Sequence, residues 1–355
     1  MDEHRPDAQD KYSWETPGAH EVADGVYRIP LPMPQDGLRA VSVYAVVDGG
    51  QLVLIDGGWA IDNSIDVLAA SLREIGFGLS DISQVLVTHS HRDHYTQAVT
   101  LRRLTGAHIR LGRGEQESVC ATRSHLTHFP ADLMHRLVRH GAGSVVAELR
   151  NGPQQPSLDP EDWEDPDSWL SDGLVIKLSE RSLTAIATPG HTRGHMVFYD
   201  PAAKLMFSGD HILPHITPSI GFEPVPPASP LGDYLASLEA MFALGDCALM
   251  PAHGPSGGSS HARARALLDH HDVRLAQTLA AVGNGARTGM EAAAAMPWTS
   301  RQHSFAALDP FNQMIAVNET IAHLDVLAER QNLTSDTGGA TIQYSLNYNP
   351  AGVNT

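Results

Sequence analysis

The sequence predicts an α+β chain built from two series of strands and helices, followed by a region of helices alone. Short β-branched, apolar runs alternate with stretches of helical periodicity across residues 20–260. Beyond this region the sequence becomes Ala-rich, and its apolar residues recur at helical spacing. Metal-capable side chains follow several of the strand-like runs, which predicts that functional groups gather at one edge of a sheet.

The length of 355 residues fits one large domain or one domain with an appendage. Residues 1–20 are polar and contain proline, which predicts a flexible arm. We predict a main domain over residues 21–260, with a helical insertion or lid at 115–170, a C-terminal helical module at 261–330 and a polar tail at 331–355.

The formal net charge of −17 disfavours nucleic acid as a partner, because an acidic surface repels phosphate backbones. The two cysteines, Cys120 and Cys247, allow at most one disulfide and do not make a zinc knuckle. The charged start of the chain does not match a secretory signal, and no stretch has the apolar length needed to cross a bilayer. These features predict a cytoplasmic protein, for which a homodimer is one compatible assembly.

The predicted main domain starts with three strands. They are predicted at residues 25–31, 40–47 and 52–55, and Asp48-Gly49-Gly50 is typical of the turn between the last two. Apolar residues at helical spacing then predict a helix at residues 61–75. The next predicted elements are a strand at 82–87, a helix at 95–104 and a strand at 107–111.

The predicted insertion is mostly helical. Residues 131–146 predict one helix with Leu133, Leu137 and Val138 on its buried face. Residues 151–168 are rich in proline and acidic residues and predict a loop. Later strands are predicted at 174–178, 183–187, 196–199, 204–208 and 248–251, a loop at 212–230, and helices at 231–244, 261–282, 288–295 and 312–329.

The densest group of metal-capable side chains follows the predicted strand at residues 82–87. His89, His91, Asp93 and His94 fall within six residues. His89 and His91 point to the same side of an extended segment, because side chains alternate there, and the other two fall on the following turn. One segment can therefore supply ligands to two adjacent metal ions.

Three more ligand-type residues, His191, Asp210 and His253, each follow a strand-like run and have a neighbouring Gly. The combined set of five imidazoles and two carboxylates suits zinc and is compatible with iron or manganese. Seven ligands are too many for one tetrahedral ion, but suit two ions about 3.5–4 Å apart that share a carboxylate and a hydroxide. Because thiolates are absent from the set, it predicts an open catalytic site and, with metal-activated water, hydrolysis.

Other polar residues have competing interpretations. Asp56, which follows a buried strand, is either a turn former or a carboxylate that orients a ligand His. His125, His128, His135 and His140 repeat no ligand spacing, and we interpret them as surface or packing histidines.

The motifs together resemble those of the metallo-β-lactamase-fold hydrolases. The resemblance covers about residues 20–260 and implies a four-layer αββα sandwich with the metals at one edge, so that residues 21–260 form the catalytic domain. The motifs that carry it are HxHxDH at 89–94, PGHTxGH at 189–195, GD at 209–210 and PAHG at 251–254, preceded by Asp56-Gly57-Gly58.

The resemblance also implies a role for each candidate residue. Asp210 would bridge the two ions, and Asp93 would also handle the proton during turnover. Asp56 would orient a ligand from outside the metal centre, and His195 is expected to have a structural role. The first metal would be held by His89, His91 and His191, and the second by Asp93, His94 and His253.

Within this family the chain is most similar to glyoxalase-II-like proteins that carry a C-terminal helical or winged-helix-like module. True metallo-β-lactamases lack a bridging carboxylate like that of Asp210, so antibiotic hydrolysis is not expected. Glyoxalase-II relatives usually follow the first motif with x-Gly-Gly, where this chain has Tyr95-Thr96-Gln97, and a glutathione-binding set is not recognisable. Persulfide dioxygenases of the family look similar around the metal but use one iron, so the metal stays open.

The favoured function is a hydrolase that acts on a small thioester, ester or lactone. A nuclease or phosphodiesterase of the same fold is the main alternative, and the metal pair and the C-terminal module favour it. The acidic charge and the short interval between Asp210 and His253 count against it. A mono-iron sulfur dioxygenase and a non-catalytic binding protein are further alternatives.

Overall fold

The computed structural model describes residues 10–33, 38–125, 129, 131–152, 158–298 and 303–347. Within these residues, two β-sheets pack face to face, and helices cover the outer face of each sheet. The arrangement confirms the predicted α+β fold and its four-layer αββα architecture.

The first sheet contains, among the described residues, seven strands in chain order: β1 (His20–Ala23), β2 (Val26–Pro32), β3 (Ala40–Asp48), β4 (Gln51–Ile55), β5 (Ile82–Val87), β6 (His108–Gly112) and β7 (Ser168–Leu170). Strands β1–β4 pair antiparallel, and β4–β7 pair parallel. Leu52 and Leu54 face outward, whereas Val53 and Ile55 face the second sheet. Helices α1 (Ser64–Glu74) and α2 (Arg92–Thr105) connect the parallel strands.

Between β6 and β7 the chain forms α3 (Gln116–His125), α4 (Ala131–Arg139) and α5 (Gly143–Asn151). The prediction of one helix at residues 131–146 is wrong, because Gly141 adopts a left-handed φ of 88° and separates two helices. Leu133 and Leu137 are buried as predicted. Val138 is 43% exposed, because it lies about 100° round the helix from Leu137.

The second sheet contains, within the described ranges, β8 (Leu174–Lys177), β9 (Ser182–Ala187), β10 (Met196–Asp200), β11 (Leu205–Gly209), β12 (Ala248–Pro251) and β13 (Gly257–Ser259). Its strands are antiparallel except for β11 and β12, which α6 (Pro230–Ala240) connects. Phe198 and Phe207 fill the space between the sheets, while Val197 and Met206 face the helices.

The C-terminal region consists of α7 (Ser260–Gly283), α8 (Gly289–Ala294), α9 (Pro310–Glu329) and a hairpin of β14 (Leu333–Asp336) and β15 (Gln343–Leu346). These helices share one hydrophobic core with α4, α5 and α6, and the predicted domain boundaries stay predictions. None of the helices in the described ranges has the length and apolarity that a membrane span requires. Short 3-10 helices lie at Asp10–Glu15, Leu79–Asp81, Arg113–Glu115, Pro160–Trp163, Met241–Ala243 and Phe305–Ala307.

Replacing Phe198 by Ala should destabilise the sandwich by about 3–5 kcal/mol, because the deletion leaves a cavity between the two sheets. Leu104→Ala is the control, since this side chain is 61% exposed on α2, and it should change the free energy of unfolding by less than about 0.5 kcal/mol. Urea unfolding measures both values, and equal losses in the two variants would contradict the assigned core.

Candidate metal centre

The predicted ligands lie on four loops that meet at one edge of the sandwich. Residues 88–94 follow β5 and lead into α2, and His191 follows β9. Asp210 and His253 come directly after β11 and β12. Because the carboxyl ends of these strands point to the same edge, the structure brings all the predicted ligands together in three overlapping groups.

One group contains His89, His91 and His191, named here the first triad. Nε2 of His191 lies 3.2 Å from Nε2 of His89 and 3.1 Å from Nδ1 of His91. Two nitrogens bound at about 2.05 Å to a tetrahedral ion lie about 3.3 Å apart, so these spacings suit ligands of one cation.

A second group contains Asp93, His94 and His253, named here the second triad. Oδ2 of Asp93 lies 3.4 Å from Nε2 of His94 and 3.3 Å from Nε2 of His253. This triad combines one carboxylate with two imidazoles, whereas the first triad contains imidazoles alone.

Asp210 lies between the two triads. Its Oδ2 is 3.4 Å from Nε2 of His191, and its Oδ1 is 3.7 Å from Nε2 of His94 and 3.5 Å from Nε2 of His253. The two oxygens therefore face different triads, as a bridging carboxylate requires.

Outer hydrogen bonds fix which ring nitrogen faces the centre. Backbone carbonyl oxygens accept from His191 Nδ1 (Ser219, 2.6 Å), His91 Nε2 (Phe222, 2.9 Å) and His253 Nδ1 (Ala40, 2.9 Å). A carbonyl only accepts, so each of these nitrogens carries the hydrogen, and the opposite nitrogen presents a lone pair to the centre.

The remaining two imidazoles are held by Thr88 and Asp56. Thr88 Oγ1 donates to the Asp56 carboxylate and accepts from His89 Nδ1 at 3.1 Å. His94 Nδ1 donates to Asp56 Oδ2 at 2.9 Å. All the imidazoles of the two triads can therefore point lone pairs inward at the same time.

The inward-facing atoms fit a pair of divalent cations. The short distances between nitrogens of the first triad are not hydrogen bonds, because neither nitrogen has a hydrogen to donate. Nε2 of His94, Nε2 of His253 and Oδ1 of Asp210 are buried without a hydrogen-bond partner. Buried polar atoms are normally satisfied, and a shared cation would satisfy these three.

Burial and nearby charges shift the pKa values of the imidazoles in opposite directions on the two sides of the site. Burial, with His94 and His91 nearby, holds the pKa of His89 well below its usual range, and burial lowers that of His191 to about 4. Burial opposes the charge on His94, yet Asp93, Asp56 and Asp210 raise its pKa well above normal. The carboxylate side of the centre therefore favours positive charge.

The backbone conformation and the contacts of Asp56 fit both interpretations of its role. Its backbone has a left-handed φ of 62°, which fits a turn former. Its carboxylate also accepts from the Thr88 N–H at 2.7 Å and faces His94 Nδ1, which fits a carboxylate that orients a ligand. One side chain thus fixes two imidazoles, His94 directly and His89 through Thr88.

His195 positions the backbone of Asp210. Its Nε2 accepts from the Asp210 N–H at 3.1 Å, and its Nδ1 donates to Thr188 Oγ1 at 2.8 Å. Gly209 has a φ of 49°, and a Cβ there would lie 2.7 Å from Thr88 Oγ1 and 2.8 Å from His195 Nε2. The Gly-Asp motif therefore gives this turn both its backbone conformation and the space it needs.

The described histidines of the insertion belong to none of the ligand groups. His125 and His135 are exposed, and His140 is buried with its Nε2 3.1 Å from the Tyr344 hydroxyl. These positions confirm them as surface or packing residues, and His128 lies outside the described residues. The sequence analysis missed Glu115, a buried carboxylate that belongs to none of the motifs and touches two of the ligand loops.

The match to known families agrees with this geometry. The profile of the metallo-beta-lactamase superfamily matches residues 36–253. The chain belongs to the metallo-beta-lactamase superfamily. This membership confirms the predicted superfamily.

Curated relatives include fungal proteins of this superfamily. An Aspergillus terreus protein named atrochrysone carboxyl ACP thioesterase is 27% identical over 246 residues, which are 68% of this chain and 59% of that protein. The lactamase-like protein adaB of Aspergillus niger is 28% identical over 268 residues, 75% of this chain and 66% of that protein. The chain therefore spans less than two thirds of the length of either relative.

Solved structures extend the likeness over most of the chain. A metallo-beta-lactamase family protein from Thermus thermophilus is 25% identical with a TM-score of 0.74, over 92% of this chain and 100% of that one. A beta-lactamase domain protein from Burkholderia ambifaria shares the fold with a TM-score of 0.77 at 23% identity, over 92% of this chain and 94% of that one.

Removing divalent cations with a chelator should lower the midpoint of thermal unfolding, and adding Zn²⁺ back should restore it. A ligand that binds only the folded state at 1,000 times its Kd stabilises that state by about 4 kcal/mol. Calorimetry with and without chelator measures the shift. Identical midpoints in both samples would contradict a metal centre at this edge.

Proposed function

We propose that the chain is a dinuclear zinc hydrolase that cleaves a small thioester. The observation that carries the proposal is the position of Asp210, whose two oxygens face different triads of inward-pointing ligands. In this proposal the first triad would hold one ion, the second triad would hold the other, and the Asp210 carboxylate would contribute to both sites. The predicted alternatives of one iron, or of manganese, are tested by metal analysis.

The reaction follows from the chemistry of the ligand set. When bound, such cations supply Lewis acidity that ionises water near pH 7 and polarises a carbonyl oxygen. Asp210 keeps the two triads at a fixed separation, and Asp93 accepts the proton released from water. Asp56 and Thr88 keep the His94 and His89 rings oriented throughout.

Three lines of support favour a thioester over the other substrates. The Aspergillus terreus relative is named a thioesterase. The motifs resemble those of glyoxalase-II-like proteins, and Asp210 separates the chain from true metallo-β-lactamases. The formal charge of −17 disfavours a nucleic acid substrate. A small-molecule substrate and a cytoplasmic location remain part of the proposal.

An aromatic row leads away from the first triad and supports an apolar acyl group. The His91 ring lies 6.4 Å from Phe222, Phe222 lies 6.1 Å from Phe311, and Phe311 lies 6.5 Å from Phe129, measured between ring centroids. Phe311 at the start of α9 is 43% exposed. The row joins the insertion, the 212–230 loop and the C-terminal region, in keeping with the proposed role of the insertion as a wall or lid.

Replacing Asp210 by Asn should lower kcat/KM on the preferred thioester by about 10²–10³-fold, because a neutral amide weakens the hold on two cations. Asp62→Asn makes the same change at an exposed position and serves as the matched control. The assay uses a panel of thioesters, esters and lactones beside a single-stranded RNA. Full turnover in Asp210→Asn, or cleavage of RNA alone, would contradict the proposal.

Replacing Phe311 by Ala should raise KM for thioesters with aromatic or long acyl groups about tenfold, because the variant loses an exposed apolar contact. KM for an acetyl thioester should stay within about twofold. Val273→Ala, at a residue that is 56% exposed on α7, is the control. An equal effect on short and long acyl groups would exclude the aromatic row as the acyl site.

A further inference from the structure

Glu115 connects the two loops that carry the first triad. It ends the 3-10 helix after β6, and its side chain is fully buried. Its Oε2 accepts from the Ser90 hydroxyl and from the Ser90 N–H at 3.2 Å. Its Oε1 accepts from the Thr192 hydroxyl and from the Gly194 N–H at 3.1 Å.

These contacts lie directly beside the ligands of the first triad. Ser90 stands between His89 and His91, and Thr192 follows His191 in the chain. The backbones are also closely packed, since a Cβ on Gly194 would lie 2.2 Å from the Glu115 N atom. A movement of Glu115 would therefore shift both loops relative to each other.

Both oxygens of the Glu115 side chain act as acceptors. All the partners are donors, so the side chain acts only as an acceptor. Among the described residues, Glu115 forms no ion pair with Lys or Arg. The four donors therefore satisfy both oxygens of this buried side chain, and loss of any one of them would leave a buried polar atom less well satisfied.

We propose that Glu115 is a positioning residue that holds the two loops of the first triad in register and thereby sets the affinity of that triad for its cation. The inference rests on the proposed function, because it presupposes two bound ions. Asp93 and His94 of the second triad follow Ser90 on the same segment but form no hydrogen bond to Glu115 among the described residues, so the larger effect is expected on the first ion.

Glu115→Gln keeps the shape of the side chain but places an NH₂ group against donors on one of the two loops. The loss of an outer partner of a metal site typically costs about 10–100-fold in metal affinity. Glu148→Gln is the matched control, because Glu148 is exposed on α5 and belongs to neither ligand loop. It should leave both affinities unchanged.

The experiment assigns the effect to one ion by removing the other site. Metal-free protein is titrated with Zn²⁺ in competition with a chromophoric chelator. In a His253→Ala background the remaining ion binds the first triad, and Glu115→Gln should weaken its binding about 10–100-fold. In a His191→Ala background the remaining ion binds the second triad, and Glu115→Gln should change its affinity less than about threefold.

A second variant covers the case in which Glu115→Gln does not fold. Thr192→Val removes one hydrogen-bond donor at nearly constant volume and should lower the affinity of the first triad for its ion about three- to tenfold. Wild-type protein that binds fewer than two ions would overturn the proposed function together with this inference. Two ions in wild-type protein with unchanged affinity in Glu115→Gln, or in Thr192→Val where that variant alone folds, would overturn this inference alone.

Discussion

The structure depends on the convergence of imidazole lone pairs and carboxylate oxygens at one edge of the sandwich. Most of the rings are held from outside by an acceptor from a distant part of the chain, such as Ala40 in β3, Asp56 after β4 or Ser219 in the 212–230 loop. Lone pairs held this close repel one another, so the fold has to hold them against that repulsion. Tight packing between the sheets and rigid turns at the strand ends provide this restraint.

The sequence predicted which side chains gather at this edge, but not the groups that hold them from outside. Ligands such as His89 and His253 could be predicted because strands that end at one edge bring short polar motifs together. Most of the outer acceptors are backbone carbonyls, as at Ser219 and Phe222. Every residue type has a backbone carbonyl, so the sequence does not indicate which one will accept. Glu115 could not be predicted either, because it lies outside every motif and acts only through the loops that it contacts.

For the fold as well, features set by local sequence could be predicted, and features set by contacts between distant residues could not. Most of the strands and helices and the Asp48-Gly49-Gly50 turn follow from periodicity and turn chemistry, which are local signals, whereas short strands such as β1, β7 and β13 were not predicted. The break at Gly141 comes from the left-handed φ of this glycine, and the adjacent His140 contacts Tyr344 from the distant β15. The β14–β15 hairpin has mostly exposed polar residues in its first strand, so its sequence pattern did not distinguish it from a loop.

Phe222 takes part in both the acyl site and the ligand set proposed here, through two different groups. Its ring faces the aromatic row, whereas its carbonyl oxygen accepts from His91 Nε2. Any side chain at this position supplies the same carbonyl, so evolution can vary the ring to accept new acyl groups without disturbing the metal ligand. A change in loop length would displace that carbonyl, and divergence among related enzymes should therefore favour substitutions here over insertions and deletions.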